Sequence, residues 1–129
     1  MITKFKIFEI KNLDDIPILN IGDYVLLKTK MSFNTPEKFV NNNIGRISNI
    51  NYHSMINNKG EMIPNYITVL FEIDDKLIYD KCLHYFKSHE FDKKNNIYKL
   101  YHNFSASDVK YYGSKEDVIL KMQMDKYNI

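Results

Sequence analysis

Hydrophobic and polar positions alternate most cleanly between Tyr66 and Ile73. Ile67, Val69, Phe71 and Ile73 share one side there, and Tyr66, Thr68, Leu70 and Glu72 share the other. A period of two marks a strand with one buried face, so the first set is assigned to the core. Two further runs precede it. Gly22-Asp23 opens a strand from Tyr24 to Lys30, and a second runs from Ile44 to His53. In the second, Ile47 is out of phase with Ile44, Ile50 and Tyr52, as expected of a strongly bent strand. Asn57-Asn58-Lys59-Gly60 is turn chemistry and joins this strand to the next as a hairpin. Residues 2–10 begin with Phe5 and Ile7 on one face and change parity at Phe8 and Ile10, which predicts a bulged strand. Residues 12–20, with Asp14, Asp15 and Pro17, read as loop.

Helical spacing takes over in three places. Thr35 as N-cap, Pro36 at the first helical position and Glu37 in the first turn predict a short helix over Pro36 to Val40, ended by Asn41-Asn42-Asn43. Asp74-Asp75 caps a helix over about 76–88. Its two adjoining apolar stripes are Ile78, Cys82 and Tyr85, and Tyr79, Leu83 and Phe86. Lys93 to Asn96 is a turn, followed by a strand from Ile97 to Tyr101. Phe104 to Asp108 then forms a tight turn into a last short strand, Val109 to Tyr112, which Gly113 ends. Ser114 with Glu116 and Asp117 opens a C-terminal helix over about 115–127, with Val118, Leu120, Met122, Met124 and Tyr127 as its apolar side. With no linker or repeat, the 129 residues are expected to form one α+β domain.

Composition changes this picture mainly by exclusion. Hydrophobic residues at 44% and charged residues at 26% place the chain among globular proteins. No stretch approaches the roughly 18 consecutive apolar residues of a membrane span. The opening Met1-Ile2-Thr3-Lys4-Phe5-Lys6 lacks the apolar core of a signal peptide, and Cys82 is the only cysteine. A cytoplasmic, reducing location is expected. The chain uses 17 Lys, 17 Ile and 15 Asn against one Arg, Arg46, and one Ala, Ala106. Codons for the first three are A/T-rich, so the lysines reflect genome composition as much as binding. A net charge of +2 is also far below the basic footprint of a dedicated nucleic-acid binder.

The order Gly22-Asp23-Tyr24-Val25, Ile44-Gly45-Arg46-Ile47, Tyr66-Ile67-Thr68-Val69-Leu70-Phe71-Glu72 and Phe104 through Tyr112 resembles an SH3-like small β-barrel of the KOW or Tudor kind. In that family a GDxV strand, a GxI strand, a YxVxF strand and a closing turn-plus-strand are common. The resemblance implies a small bent antiparallel SH3-like barrel, here with an inserted helix at about 76–88 and an added C-terminal helix. In style the chain is also similar to small proteins of A/T-rich phages and large DNA viruses, which implies roles such as inhibiting a host or defence protein.

Chemistry-bearing residues are sparse. His53, His84, His89, His102 and Cys82 match no zinc spacing, and on one helix Cys82 and His84 would point about 200° apart. Asp14-Asp15, Asp74-Asp75 and Glu116-Asp117 sit where loops and helix starts want acid. Ser105 and Ser107, flanked by His102 and Asp108, are explained by turn chemistry rather than by a catalytic triad. The four glycines are isolated, so no phosphate loop exists and no cofactor is expected. Aromatic residues are more suggestive. Tyr24, Tyr52 and Tyr66, with Lys28, Lys30 and Arg46, are the candidate binding group, since rings and cations together grip peptides or stack bases. The expected function is non-enzymatic protein binding through these side chains or through the segments Met31 to Asn43 and Tyr52 to Asn65. The alternative is nucleic-acid binding by the same six.

Overall fold

The computed structural model describes residues 15–127; the strand expected over residues 2–10 lies outside them. The described elements are β1 (Tyr24–Leu27), α1 (Asn34–Asn42), β2 (Gly45–Ile56), β3 (Met62–Ile73), α2 (Lys76–Cys82), β4 (Ser88–Asp92), β5 (Ile97–Ser105), β6 (Val109–Gly113) and α3 (Lys115–Lys126). Two 3-10 turns, Leu83–Tyr85 and Ala106–Asp108, follow α2 and β5. The strands form one antiparallel sheet in the order β4-β5-β3-β2-β1-β6. The fold is therefore α+β.

That order forces the sheet to curl. β5 and β6 are four steps apart, about 19 Å across a flat sheet at roughly 4.8 Å per strand. Yet only Ala106–Asp108 separate them, and three residues of 3-10 helix advance about 6 Å. The register shifts in β2 at Ile47/Asn49, Asn51/Tyr52 and Tyr52/Ile56, and in β1 at Leu26/Leu27, give the bend its hinges. The Lys28 amide donates to the Asp108 carbonyl at 2.8 Å, stitching the end of β1 to the turn that enters β6. The sheet nonetheless stays open among the described residues, with β4 and β6 as its edges. Closure into a barrel, expected from the sequence, is not what these strands form.

The core lies on the concave side. Ile67, Val69, Phe71 and Ile73 are all buried, in the phase read from the alternation. Around them pack Val25, Leu27, Val40, Ile47, Leu100 and Phe104. Phe71 is at the centre, meeting Phe39, Phe86 and Phe104 edge-on at 5.3, 6.1 and 6.3 Å between ring centroids. Gly45 lets β2 approach this cluster, because a Cβ there would overlap the Val69 side chain and crowd Phe71.

Several boundaries differ from the sequence reading. The helix expected over 76–88 is correctly capped, with the Asp75 carboxylate accepting from the Leu77 and Ile78 amides. It ends at Cys82, however. The chain tightens through Leu83–Tyr85, inserts Phe86 into the core, and continues as β4 paired with β5. Tyr79, Cys82 and Phe86 are buried, while Ile78 and Tyr85 of the expected face are exposed. Helix α1 starts before Thr35, at Asn34, and runs past Val40 to Asn42. β1 stops at Leu27 rather than Lys30, because Thr29 and Met31 bond to α1 instead of to a strand. Asn41 takes the Thr29 amide at 2.9 Å, and Glu37 the Met31 amide at 2.7 Å.

Helix α3 begins at its expected cap, Ser114, whose hydroxyl accepts from the Asp117 amide at 3.2 Å. It packs against β1 and β6 on the convex side of the sheet. Val118 and Leu26 are buried in that second layer, and Met122 is half-buried. Asp125 anchors the far end, accepting from the Tyr111 hydroxyl at 2.6 Å and pairing with Lys110 at 2.8 Å. These partners hold the Asp125 carboxyl below its ordinary range. Leu120, Met124 and Tyr127 of the expected apolar side remain exposed.

Candidate functional site

The six candidate residues do not converge; the curl distributes them over three places. Tyr24 and Arg46 are direct cross-strand neighbours, and the Lys115 ammonium lies 6.0 Å from the Tyr24 ring centroid. This is a small spot of one ring and two cations. Lys28 and Lys30 lie beyond the end of β1, both exposed, in the segment pinned to α1 and to Asp108. Tyr52 and Tyr66 sit on the β2–β3 hairpin, opposite Pro64 and Asn51 respectively.

That hairpin carries five of the exposed large apolar side chains among the described residues. β1 reaches only Gly45 and Arg46 of β2, and β5 leaves β3 at Tyr66, so from Tyr66 outward the β2–β3 pair runs on as a two-stranded ribbon. Tyr52, Met55, Ile56, Met62 and Tyr66 are each between 40% and 63% exposed. Ile56 and Met62 face each other across the ribbon near its tip. Met55, Ile56 and Met62 are not among the six expected residues, though they lie within the expected segment Tyr52 to Asn65. The signal for them was present in the sequence: pairing the strands back from Asn57-Gly60 sets Ile56 against the residues after Glu61.

The tip is stiff. Gly60 adopts φ +78°, and its amide donates to the Asn57 carbonyl at 3.0 Å. Asn57 Oδ1 accepts from the amides of Lys59 and Glu61, both at 2.9 Å, and the Asn57 amide donates to the Glu61 carbonyl at 3.0 Å. The only charged residues from Ser48 to Tyr66, histidine aside, are Lys59 and Glu61 in this turn. The ribbon is thus a pre-ordered, nearly uncharged segment that exposes aromatic, aliphatic and thioether groups.

Groups with catalytic potential are engaged otherwise. The Ser105 and Ser107 hydroxyls bond each other at 2.7 Å, the Asp108 carboxylate accepts from the Thr29 hydroxyl at 2.9 Å, and His102 Nδ1 accepts the Lys87 amide at 3.0 Å. None of these bonds links serine, histidine and aspartate. Cys82 is buried, and burial pushes its thiol above its ordinary value. Among the described residues no three His, Cys, Asp or Glu side chains are grouped to hold a metal ion, and no helix is long and apolar enough to cross a membrane. A hollow of about 810 Å³ lies between α3 and the end of α1. It is lined by Leu26, Ile44, Ile119 and Met122, with the Lys110–Asp125 pair at its rim.

The class these features define is an α+β domain with a curled, open antiparallel sheet and a projecting apolar ribbon. Comparison with protein-family models, with curated proteins and with solved structures finds no match for the chain.

Proposed function

We propose that this protein is a non-enzymatic protein-binding module that docks a partner on the β2–β3 ribbon. The observation that carries the reading is the cluster of Tyr52, Met55, Ile56, Met62 and Tyr66 exposed together on a stiff hairpin. Apolar side chains in such a group cost solvation in the free protein and are typical of interaction surfaces, where Tyr and Met are enriched. The fixed turn spares a partner the cost of ordering it. In this reading the curled sheet is an open relative of the SH3-like small barrels, with Ala106–Gly113 in the place of the turn-plus-strand that returns to β1. An A/T-rich codon signature fits a viral or mobile-element inhibitor or adaptor acting on a host or defence protein in the host cytoplasm.

The test is affinity capture from a host-like lysate, with and without nuclease, using the native chain and an Ile56→Lys/Met62→Lys variant. Both substituted side chains are exposed, so the variant keeps the fold. A nuclease-resistant partner held by the native chain and lost by the variant is expected. Equal recovery by both would remove the ribbon from the interface.

One observation favours a second reading, nucleic-acid binding: Tyr24, Arg46 and Lys115 form a ring-and-cation group on the sheet's outer face. A ring that stacks bases beside cations that hold phosphates would give affinity falling steeply with salt. Oligonucleotide titration at low salt decides it, and absence of binding there ends this alternative.

A further inference from the structure

A second hollow, of about 310 Å³, lies where four separate parts of the chain meet: the segment Lys30–Phe33, Pro36 of α1, Tyr85 of the first 3-10 turn and His102 of β5. It is distinct from the ribbon. Its walls are apolar on one side, where Phe33 and Tyr85 lie against each other with ring centroids 4.7 Å apart and Met31 and Pro36 complete the surface. Its polar lining residues are Lys30, Ser32 and His102.

His102 is the deepest of these. Its ring is wedged edge-on between Phe86 and Phe104, at 5.6 and 5.1 Å between centroids. Nδ1 is occupied, accepting the Lys87 amide, so the neutral ring carries its proton on Nε2. Nε2 has no partner among the described residues. No buried side-chain nitrogen or oxygen there lacks one, so Nε2 reaches solvent, and His102 is part of the lining of this hollow. Burial, reinforced by Lys87, holds the imidazole below its ordinary pKa and therefore uncharged at neutral pH.

The charge of the lining is one-sided. Lys30 is its single ionised side chain, with no ion pair among the described residues, and no carboxylate lines the hollow. The neighbouring acids stand outside the lining, held by neutral donors: Glu37 accepts the Met31 amide, and Asp108 the Thr29 hydroxyl. A cation, a neutral N–H donor and the Ser32 hydroxyl facing an aromatic wall match a ligand with one negative charge and an apolar body. A dianion such as phosphate would find only one compensating charge.

We propose that this hollow binds an apolar monocarboxylate, its carboxylate held by Lys30 and His102 Nε2–H and its body laid against Phe33 and Tyr85. The carboxylate can belong to a small free acid or to the C-terminus of a peptide, and both present the same chemistry.

The experiment is an amide and side-chain NMR titration of the full chain with four probes. These are benzoate, its uncharged isostere benzamide, inorganic phosphate, and an acetylated tetrapeptide ending in a free phenylalanine. Saturable shifts confined to residues 30–33, Tyr85 and His102 are expected for benzoate, for the peptide, or for both, and the tighter of the two names the source. Lys30→Gln, at an exposed position that leaves the fold intact, is expected to weaken that binding at least fivefold. Failure of both carboxylates to give saturable shifts would overturn the proposal. So would benzamide or phosphate binding as well as benzoate, or Lys30→Gln binding benzoate as tightly as the native chain.

Discussion

Asn41 and Thr29 hold each other by two hydrogen bonds: the Thr29 amide donates to Asn41 Oδ1, and Asn41 Nδ2 donates to the Thr29 carbonyl, each at 2.9 Å. The side-chain amide plays the part of a neighbouring strand for one residue. It satisfies backbone groups that β1 leaves open when it stops at Leu27, and it clamps α1 onto the corner of the sheet.

Replacing Asn41 by Leu leaves both Thr29 groups without that partner. At about 1 kcal/mol for each bond lost, the variant is expected to be about 2 kcal/mol less stable. A urea midpoint indistinguishable from that of the native chain would show that water replaces the clamp at no cost.

Gly45 is expected to tolerate no side chain, though it has no unusual φ. In Gly45→Ala the new Cβ meets Val69 and Phe71, both fully buried and unable to withdraw. Overpacking of this kind costs about 1–3 kcal/mol. Gly22→Ala is the contrast: it has open space around it and a φ of +97°, so its cost is backbone strain alone. Thermal melts of the pair should be accompanied by shifted Val69 and Phe71 resonances only for Gly45→Ala.

Adjacent positions on β3 should respond in opposite ways. Val69 is fully buried, so Val69→Asp places an unpaired carboxylate in the core and is expected to unfold the domain. Thr68 points outward, donating its hydroxyl to Asn103 Oδ1 at 2.7 Å, and Thr68→Asp is expected to be mild. Circular dichroism of both variants checks the register, and equal tolerance would contradict it.

His102 gives stability a pH dependence with a defined sign. Burial, then Lys87, depresses its pKa in the folded chain below the ordinary value near 6.5. The unfolded chain therefore takes up the proton first as pH falls, and stability declines on acidification below about 6.5. Urea midpoints at pH 7.5 and 5.5 should differ more for the native chain than for His102→Gln, because the remaining histidines contribute equally to both. An identical difference in the two proteins would show that His102 is not held neutral.

Where structure is local, the chain can be read directly. The alternation over Ile67 to Ile73 yields the core face, Asp75 and Ser114 yield two helix starts, and Asn57 to Gly60 yields the hairpin turn. Each depends on contacts within a few residues, which spacing and residue type encode. Boundaries set by a distant partner could not be read in the same way. β3 begins at Met62, through Pro64, because Ile56 and Tyr52 of β2 offer pairing on either side of a register shift. β4 exists because β5 needs a neighbour, and its Ser88–Asp92 sequence has no alternation of its own.

The grouping of the candidate residues belongs to the tertiary structure entirely. The sequence by itself determined that the chain has an α+β fold, a β3 core and a set of tyrosines and cations spread along it. Only the curl of the sheet decided which of these became neighbours. It sets Tyr24 beside Arg46, leaves Tyr52 and Tyr66 on a ribbon with Met55, Ile56 and Met62, and brings Lys30 to the hollow that His102 lines. The physical reason is distance along the chain. Lys30 and His102 come to line one hollow through the packing of α1, the turn at Tyr85 and β5, and no local pattern encodes a juxtaposition that exists only after those elements dock.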